Sequence, residues 1–91
     1  MVAFTQETKY YSGTRAGVID QMDNTLGYMF INTGANTLYI NGLKLLSGEF
    51  YNSFSPPFVD RTLYRYTFDE NTGEGAVNNY NFLVIEYQAF N

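Results

Sequence analysis

Cysteine, histidine and tryptophan are all missing from this 91-residue chain, and only two prolines and five basic residues are present. Without Cys no disulfide can brace a domain too small to bury much of its surface, and without Cys or His the usual zinc sites, thiol nucleophiles and His-based triads have no parts. A general base would have to be a carboxylate. The five cations, Lys9, Arg15, Lys44, Arg61 and Arg65, are scattered against nine acids, giving a net charge of −4. Nucleic acid is therefore disfavoured as a partner, because phosphate neutralisation needs clustered bases. No apolar run approaches the ~20 residues of a membrane helix, and the first residues lack the basic start and apolar stretch of a signal peptide, so no membrane partner and no export by that route are expected.

What is abundant is aromatic: nine Tyr and eight Phe, 19% of the chain. That is more than one small core needs, so some rings are expected at the surface, where Tyr suits interfaces. The length reads as a single domain, residues 1–91, whose modest stability calls for association with other chains.

The clearest local signal is Asn41-Gly42 between Thr37–Ile40 and Leu43–Leu46. A two-residue type I′ turn needs positive φ at both central positions, which Asn tolerates and Gly permits. It sets Ile40 opposite Leu43, Tyr39 opposite Lys44 and Leu38 opposite Leu45, giving one aliphatic and one amphipathic face. Leu26–Ile31 is almost continuously apolar, as in a strand covered on both faces, within a sandwich or against another subunit. Asp60–Phe68 reads as a strand with Thr62, Tyr64, Tyr66 and Phe68 on one face, and Asn79–Phe90 as a long strand with Leu83, Ile85, Tyr87 and Ala89 opposed to Phe82, Val84, Glu86 and Gln88. Residues 1–12 form an N-terminal arm or an edge strand. Ser12-Gly13-Thr14, Ser47-Gly48 and Asp69–Gly75 are turns, Val18-Ile19 a short apolar anchor, and Pro56-Pro57 rules out a central strand around Asn52–Phe58. About seven short strands predict an all-β fold, a small antiparallel sandwich or barrel.

Two ligand sites are weighed. Asp69, Asn71 and Glu74 supply hard oxygens for calcium, but an EF-hand would need a glutamate at its twelfth position, where this chain has Tyr80, so a solvated turn is the stronger reading and no cofactor is expected. Tyr64, Tyr66 and Phe68, with Tyr39, Phe54 and Phe58 and polar groups among the ten Asn, offer a carbohydrate-stacking platform. Core packing or subunit contact competes with it.

Asn32-Thr-Gly-Ala-Asn-Thr-Leu-Tyr-Ile-Asn-Gly-Leu-Lys-Leu-Leu-Ser-Gly-Glu49 resembles a pattern in small β-sandwich structural proteins of tailed bacteriophages: an N-x-G loop, a strand, an I-N-G turn, an apolar strand and an x-G-E exit. Ser47 stands where such patterns often carry proline. The resemblance implies a non-enzymatic virion protein present in many copies, of the capsid auxiliary (decoration), head-fibre or neck and tail accessory type. Its partners would be the major capsid protein, neighbouring accessory subunits and further copies of itself. The expected mechanism is contact through edge strands and rings, with Val2–Tyr11 as a docking or exchanged arm and Tyr10, Tyr11, Phe54, Phe58, Tyr64 and Tyr66 at the interface. A carbohydrate-binding module using exposed Tyr and Phe rings is the alternative.

Overall fold

The computed structural model describes residues 4–20, 24–54, 58–69 and 80–89, and among these no helix occurs. Among the described residues eight strands follow one another: β1 Phe4–Ser12, β2 Ala16–Val18, β3 Thr25–Asn32, β4 Leu38–Ile40, β5 Leu43–Leu45, β6 Phe50–Asn52, β7 Arg65–Phe68 and β8 Asn81–Ala89. They make two antiparallel four-stranded sheets, a long one in the order β1-β8-β3-β6 and a short one in the order β2-β7-β4-β5. The fold is a sandwich rather than a barrel.

The pairing has a simple rule. β4 pairs with β5, β3 with β6, β2 with β7 and β1 with β8, so the chain is one long antiparallel hairpin, four strands out and four back. Rolling that hairpin places its successive pairs alternately in the two sheets, and the seams close where β3 meets β8 and β4 meets β7. This order and pairing define a jelly roll.

At the centre of the hairpin the predicted register holds: Ile40 opposes Leu43, Tyr39 opposes Lys44 and Leu38 opposes Leu45. Asn41 and Gly42 take φ of 49° and 86°, the two positive values a type I′ turn requires. The Asn41 side chain adds a clamp, donating to Leu63 O at 3.1 Å and accepting from Arg65 N at 2.8 Å. The turn is thereby tied to the strand beside it.

A second pin is Asn32, fully buried at the end of β3. Its Nδ2 donates to Asn36 O at 2.8 Å and Leu45 O at 3.0 Å, and its Oδ1 accepts from Gly34 N. Its backbone N–H donates to Glu49 O and its carbonyl accepts from Gly48 N. A buried amide is stable only with its groups satisfied, and here each one is used to hold three segments together. Glu49 closes the exit turn by accepting from Leu46 N at 2.7 Å. The N-x-G, I-N-G and x-G-E residues are thus fasteners of the hairpin.

The core lies between the sheets. Tyr28, Phe30, Val84 and Phe82 come from the long sheet, Leu38, Ile40, Leu45, Tyr66 and Phe68 from the short one, with Ile19, Tyr64 and Tyr80 closing the ends. Ring stacking and edge contacts link them, as between Tyr28 and Tyr64 (5.2 Å) and between Tyr66 and Phe82 (4.7 Å). Each fully buried ring of this kind contributes about 1.5–3 kcal/mol by its removal from water.

Several expectations are corrected. β1 is paired with β8 from Phe4 to Ser12, so the described part of the N-terminal segment is an edge strand and not an extended arm. β2 adds an eighth strand, with Ile19 of the expected apolar anchor lying beyond its end in the core. The strand expected over Asp60–Phe68 starts only at Arg65, because Asp60 and Thr62 spend their groups on a local turn, Thr62 N donating to Asp60 Oδ1 at 3.0 Å.

Candidate contact surface

Side chains directly opposed in antiparallel strands share a face, so the registers of the long sheet lay out its outer surface row by row. One row runs Tyr10, Leu83, Ile31, Phe50, the next Thr8, Ile85, Met29, Asn52, and the next Gln6, Tyr87, Gly27. Phe4 lies on the same face beyond Gln6 and packs on Tyr87 at 5.8 Å between ring centroids. Among the described residues no charged side chain stands on this face. Tyr10 and Phe50 are its exposed ends, at 64% and 63%, while Met29, Ile31, Leu83 and Ile85 are half-buried between them.

Gly27 explains how Phe54 joins this face. Its φ is +147°, and a Cβ there would stand 2.5 Å from Phe54 Cα, so only glycine lets the chain after β6 lie down on β3. Ser53 N donates to Tyr28 O, Tyr28 N donates to Ser53 Oγ, and the Phe54 ring stacks on Tyr87 at 4.2 Å.

The outer face of the short sheet has the opposite character. Its rows are Ala16, Thr67, Tyr39, Lys44 and then Val18 beside Arg65, a polar surface with cations at hand. On β1, moreover, the side facing the sandwich interior carries Thr5, Glu7 and Lys9 before Tyr11, while the side facing away carries Phe4, Gln6, Thr8 and Tyr10. Charged groups thus stand on the inner side of this edge and two rings on its outer side, where an ordinary sandwich turns its polar residues out.

Beside that edge a carboxylate lies inside. Glu86 follows Phe82 and Val84 on the inner side of β8 and is 1% exposed, with neither oxygen hydrogen-bonded. Lys9 Nζ lies 3.7 Å away, near enough to attract and too far for a short hydrogen bond. Burial pushes the Glu86 carboxyl above its ordinary range; Glu7 and Asp20 add to the rise, and Lys9 opposes it.

Beyond Phe54 the chain meets a second polar group. Tyr64 Oη donates to Asp60 Oδ2 at 2.5 Å, and Ser53 Oγ donates to the same oxygen at 2.9 Å. Burial and the bond to Asp60 push the Tyr64 phenol up to about 12. At Asp60 burial alone would raise the carboxyl, but hydrogen bonds from Tyr64, Thr62 and Ser53 outweigh it and hold the group below its usual range.

Of the rings expected at an interface, Tyr10 and Phe58 are exposed, Phe58 at 73%. Phe54 and Tyr11 are half-buried, Tyr11 stacked inward on Phe82 at 4.8 Å. Tyr64 and Tyr66 are core residues at 6% and 7% exposure, which corrects their assignment to an interface. Their hydroxyls made them candidates for a wet surface; at Tyr64 that need is met internally by Asp60. The carbohydrate platform is likewise not assembled as expected, since Tyr64, Tyr66 and Phe68 point into the sandwich and Tyr39 lies on the other side of the short sheet. Phe50, at the edge of the apolar face, was missed. Asp69 lies beside the end of β4, accepting from Tyr39 Oη at 3.4 Å, whereas Asn71 and Glu74 fall outside the described residues. Among the described residues no three acidic side chains gather to hold a metal.

No family model, no curated protein and no solved structure matches the chain.

Proposed function

We propose that this protein is a non-enzymatic structural subunit of a tailed-phage virion, a capsid auxiliary (decoration) or head-fibre-associated component that acts by protein–protein contact. The observation that carries the reading is the uncharged, ring-edged outer face of the long sheet. A lone sandwich keeps such a face polar, and a contiguous apolar surface on a small domain is the mark of a contact site. The jelly roll is used by capsid and lectin domains alike, so the fold supports the reading only by analogy and the surface supplies the argument. The fastened N-x-G, I-N-G and x-G-E segment agrees with the resemblance, because those residues specify a rigid platform rather than a reactive site.

The test is localisation in the particle. In virions purified from cells expressing the gene from its own genome, peptide mass spectrometry is expected to find the chain in many copies per particle, and particle reconstruction to place it on the shell or its fibres. Recovery only in the soluble fraction, with particles free of it, would sink the reading. A glycan array showing specific binding lost on Tyr10→Ala or Phe58→Ala would replace it with a carbohydrate module.

A further inference from the structure

We infer that the outer face of the long sheet is covered by a second copy of this chain, in a symmetric dimer whose two-fold axis runs parallel to the strands. The inference deepens the contact reading by naming an occupant for the same face.

Charge comes first. A two-fold interface presents one patch to itself, so any charge on it near the axis meets a like charge. The described residues of this face bear none, although the chain carries −4 and the other sheet displays Lys44 and Arg65. A partner chosen by charge would dock elsewhere.

Geometry comes second. An axis in the interface plane and parallel to the strands turns β1 of one copy over β6 of the other while keeping each row at its own height. Tyr10 then lies over Phe50 of the second copy, and Leu83 over its Ile31. The same row order that sets rings at both edges and aliphatics between them is thus matched with itself, ring on ring and aliphatic on aliphatic.

Area comes third. Phe4, Tyr10 and Phe50 expose 38%, 64% and 63%, on the order of 300 Å² at about 200 Å² per ring. With the exposed Gln6, Thr8 and Asn52 and the half-buried aliphatics between them, the face offers roughly 700 Å², so two copies would bury about 1,400 Å², within the ~1,200–2,000 Å² of a stable specific interface. Packing of two such sheets adds a layer about 10 Å thick, shaped like a second core.

The full chain is tested by sedimentation equilibrium, which is expected to give twice the 10.4 kDa chain mass. Phe50→Glu and Tyr10→Glu, at positions open enough to leave the fold intact by circular dichroism, are each expected to raise the dimer dissociation constant about 30-fold or more. Val18→Glu, an exposed apolar position on the other sheet, should leave it unchanged. Because the chain contains no cysteine, Tyr10→Cys combined with Phe50→Cys provides a clean second readout: facing sheets stand about 10 Å apart, too far for a direct disulfide, so a bismaleimide whose reach is about 10 Å should yield a covalently linked dimer, and Tyr39→Cys should not. A monomer up to millimolar concentration, a dimer indifferent to both Glu variants, or a dimer that fails to cross-link through the paired cysteines overturns the inference. A monomer in solution that is still found on virions overturns the dimer alone, whereas a dimer absent from virions overturns the virion reading alone.

Discussion

Tyr64 and Asp60 are joined by a hydroxyl-to-carboxylate hydrogen bond of 2.5 Å, placed where the chain leaves the outer surface and enters the core. Tyr64→Phe keeps the ring in place and deletes only that bond, so it is expected to cost about 1.5–3 kcal/mol, the range for a bond to a charged acceptor. Urea unfolding at pH 7 measures it. A midpoint unchanged from the parent would show that the bond contributes nothing.

The same pair sets opposite pH limits. Tyr64 has a raised folded pKa, so its share of stability is complete below the ordinary tyrosine pKa of about 10 and is lost as pH climbs toward about 12. Asp60 has a lowered folded pKa, so its share is complete above the ordinary carboxyl pKa and is lost as pH falls through the folded value. In Tyr64→Phe the stability lost between pH 10 and 12 should shrink, which thermal melts across that interval would register.

Glu86 runs the other way. Its folded pKa is raised, so folding favours the protonated form; the penalty for its charge is absent below the unfolded carboxyl pKa and grows as pH rises through the folded value. Glu86→Gln is expected to stabilise the protein by about 1 kcal/mol at pH 7 and to make no difference near pH 3. Lys9→Met should do the reverse at pH 7, since it leaves the buried carboxylate uncompensated. Guanidinium unfolding of the three proteins at both pH values decides the matter, and a Gln variant weaker than the parent at pH 7 would contradict it.

Asn41 performs two tasks that substitution can separate. Asn41→Gly retains the positive φ but loses the bonds to Leu63 and Arg65, for an expected cost of about 1 kcal/mol. Asn41→Ala loses both and should cost about 1–2 kcal/mol more from left-handed strain. Equal stabilities for the two variants would mean that the turn geometry carries no load.

Gly27→Ala tests the seating of Phe54. A Cβ 2.5 Å from Phe54 Cα must displace the segment and its bonds to Tyr28, so destabilisation of about 2–4 kcal/mol is expected. The near-ultraviolet dichroism of the Phe54–Tyr87 stack should diminish with it.

Features with local causes are legible in the sequence. Asn41-Gly42 specifies its own turn and, through it, the register of β4 and β5. Alternation likewise sorted Tyr64, Tyr66 and Phe68 from Leu63, Arg65 and Thr67, and Leu83, Ile85 and Tyr87 from Phe82, Val84 and Glu86. Parity does not say which side is inside. Tyr66 in β7 and Tyr64 just before it looked suited to a surface, yet they are in the core; in β8 both sides are apolar, and the one bearing Glu86 faces in. The unbroken apolar run of β3 does place apolar side chains on both faces, Tyr28 and Phe30 inside and Met29 and Ile31 outside. β2 went unseen because Ala16-Gly17-Val18 is too short to show alternation. Asn32 looked like a loop residue, and its role appears only when the backbone groups of three meeting segments are counted together. The short strand that begins at Glu49-Phe-Tyr51 is legible in the sequence and is β6, but Phe50 was not singled out as a contact ring, because three exposed residues give no alternation to say which side is outer.

The nested pairing of the strands also dictates the order of assembly. The two strands joined by Asn41-Gly42 are neighbours in the chain and close at little entropic cost, whereas β1 must wait for β8, more than sixty residues later. During synthesis the first strand to emerge is thus the last to find its mate. Until then β8 has no partner on its β1 side and the rings of β1 are unhoused, so at high concentration the chain passes through a stage in which β8 of one molecule can accept β1 of another. The unexchanged fold and a strand-exchanged pair would differ only in which chain supplies that strand, and rapid completion of β1·β8 within one molecule is what keeps copies distinct.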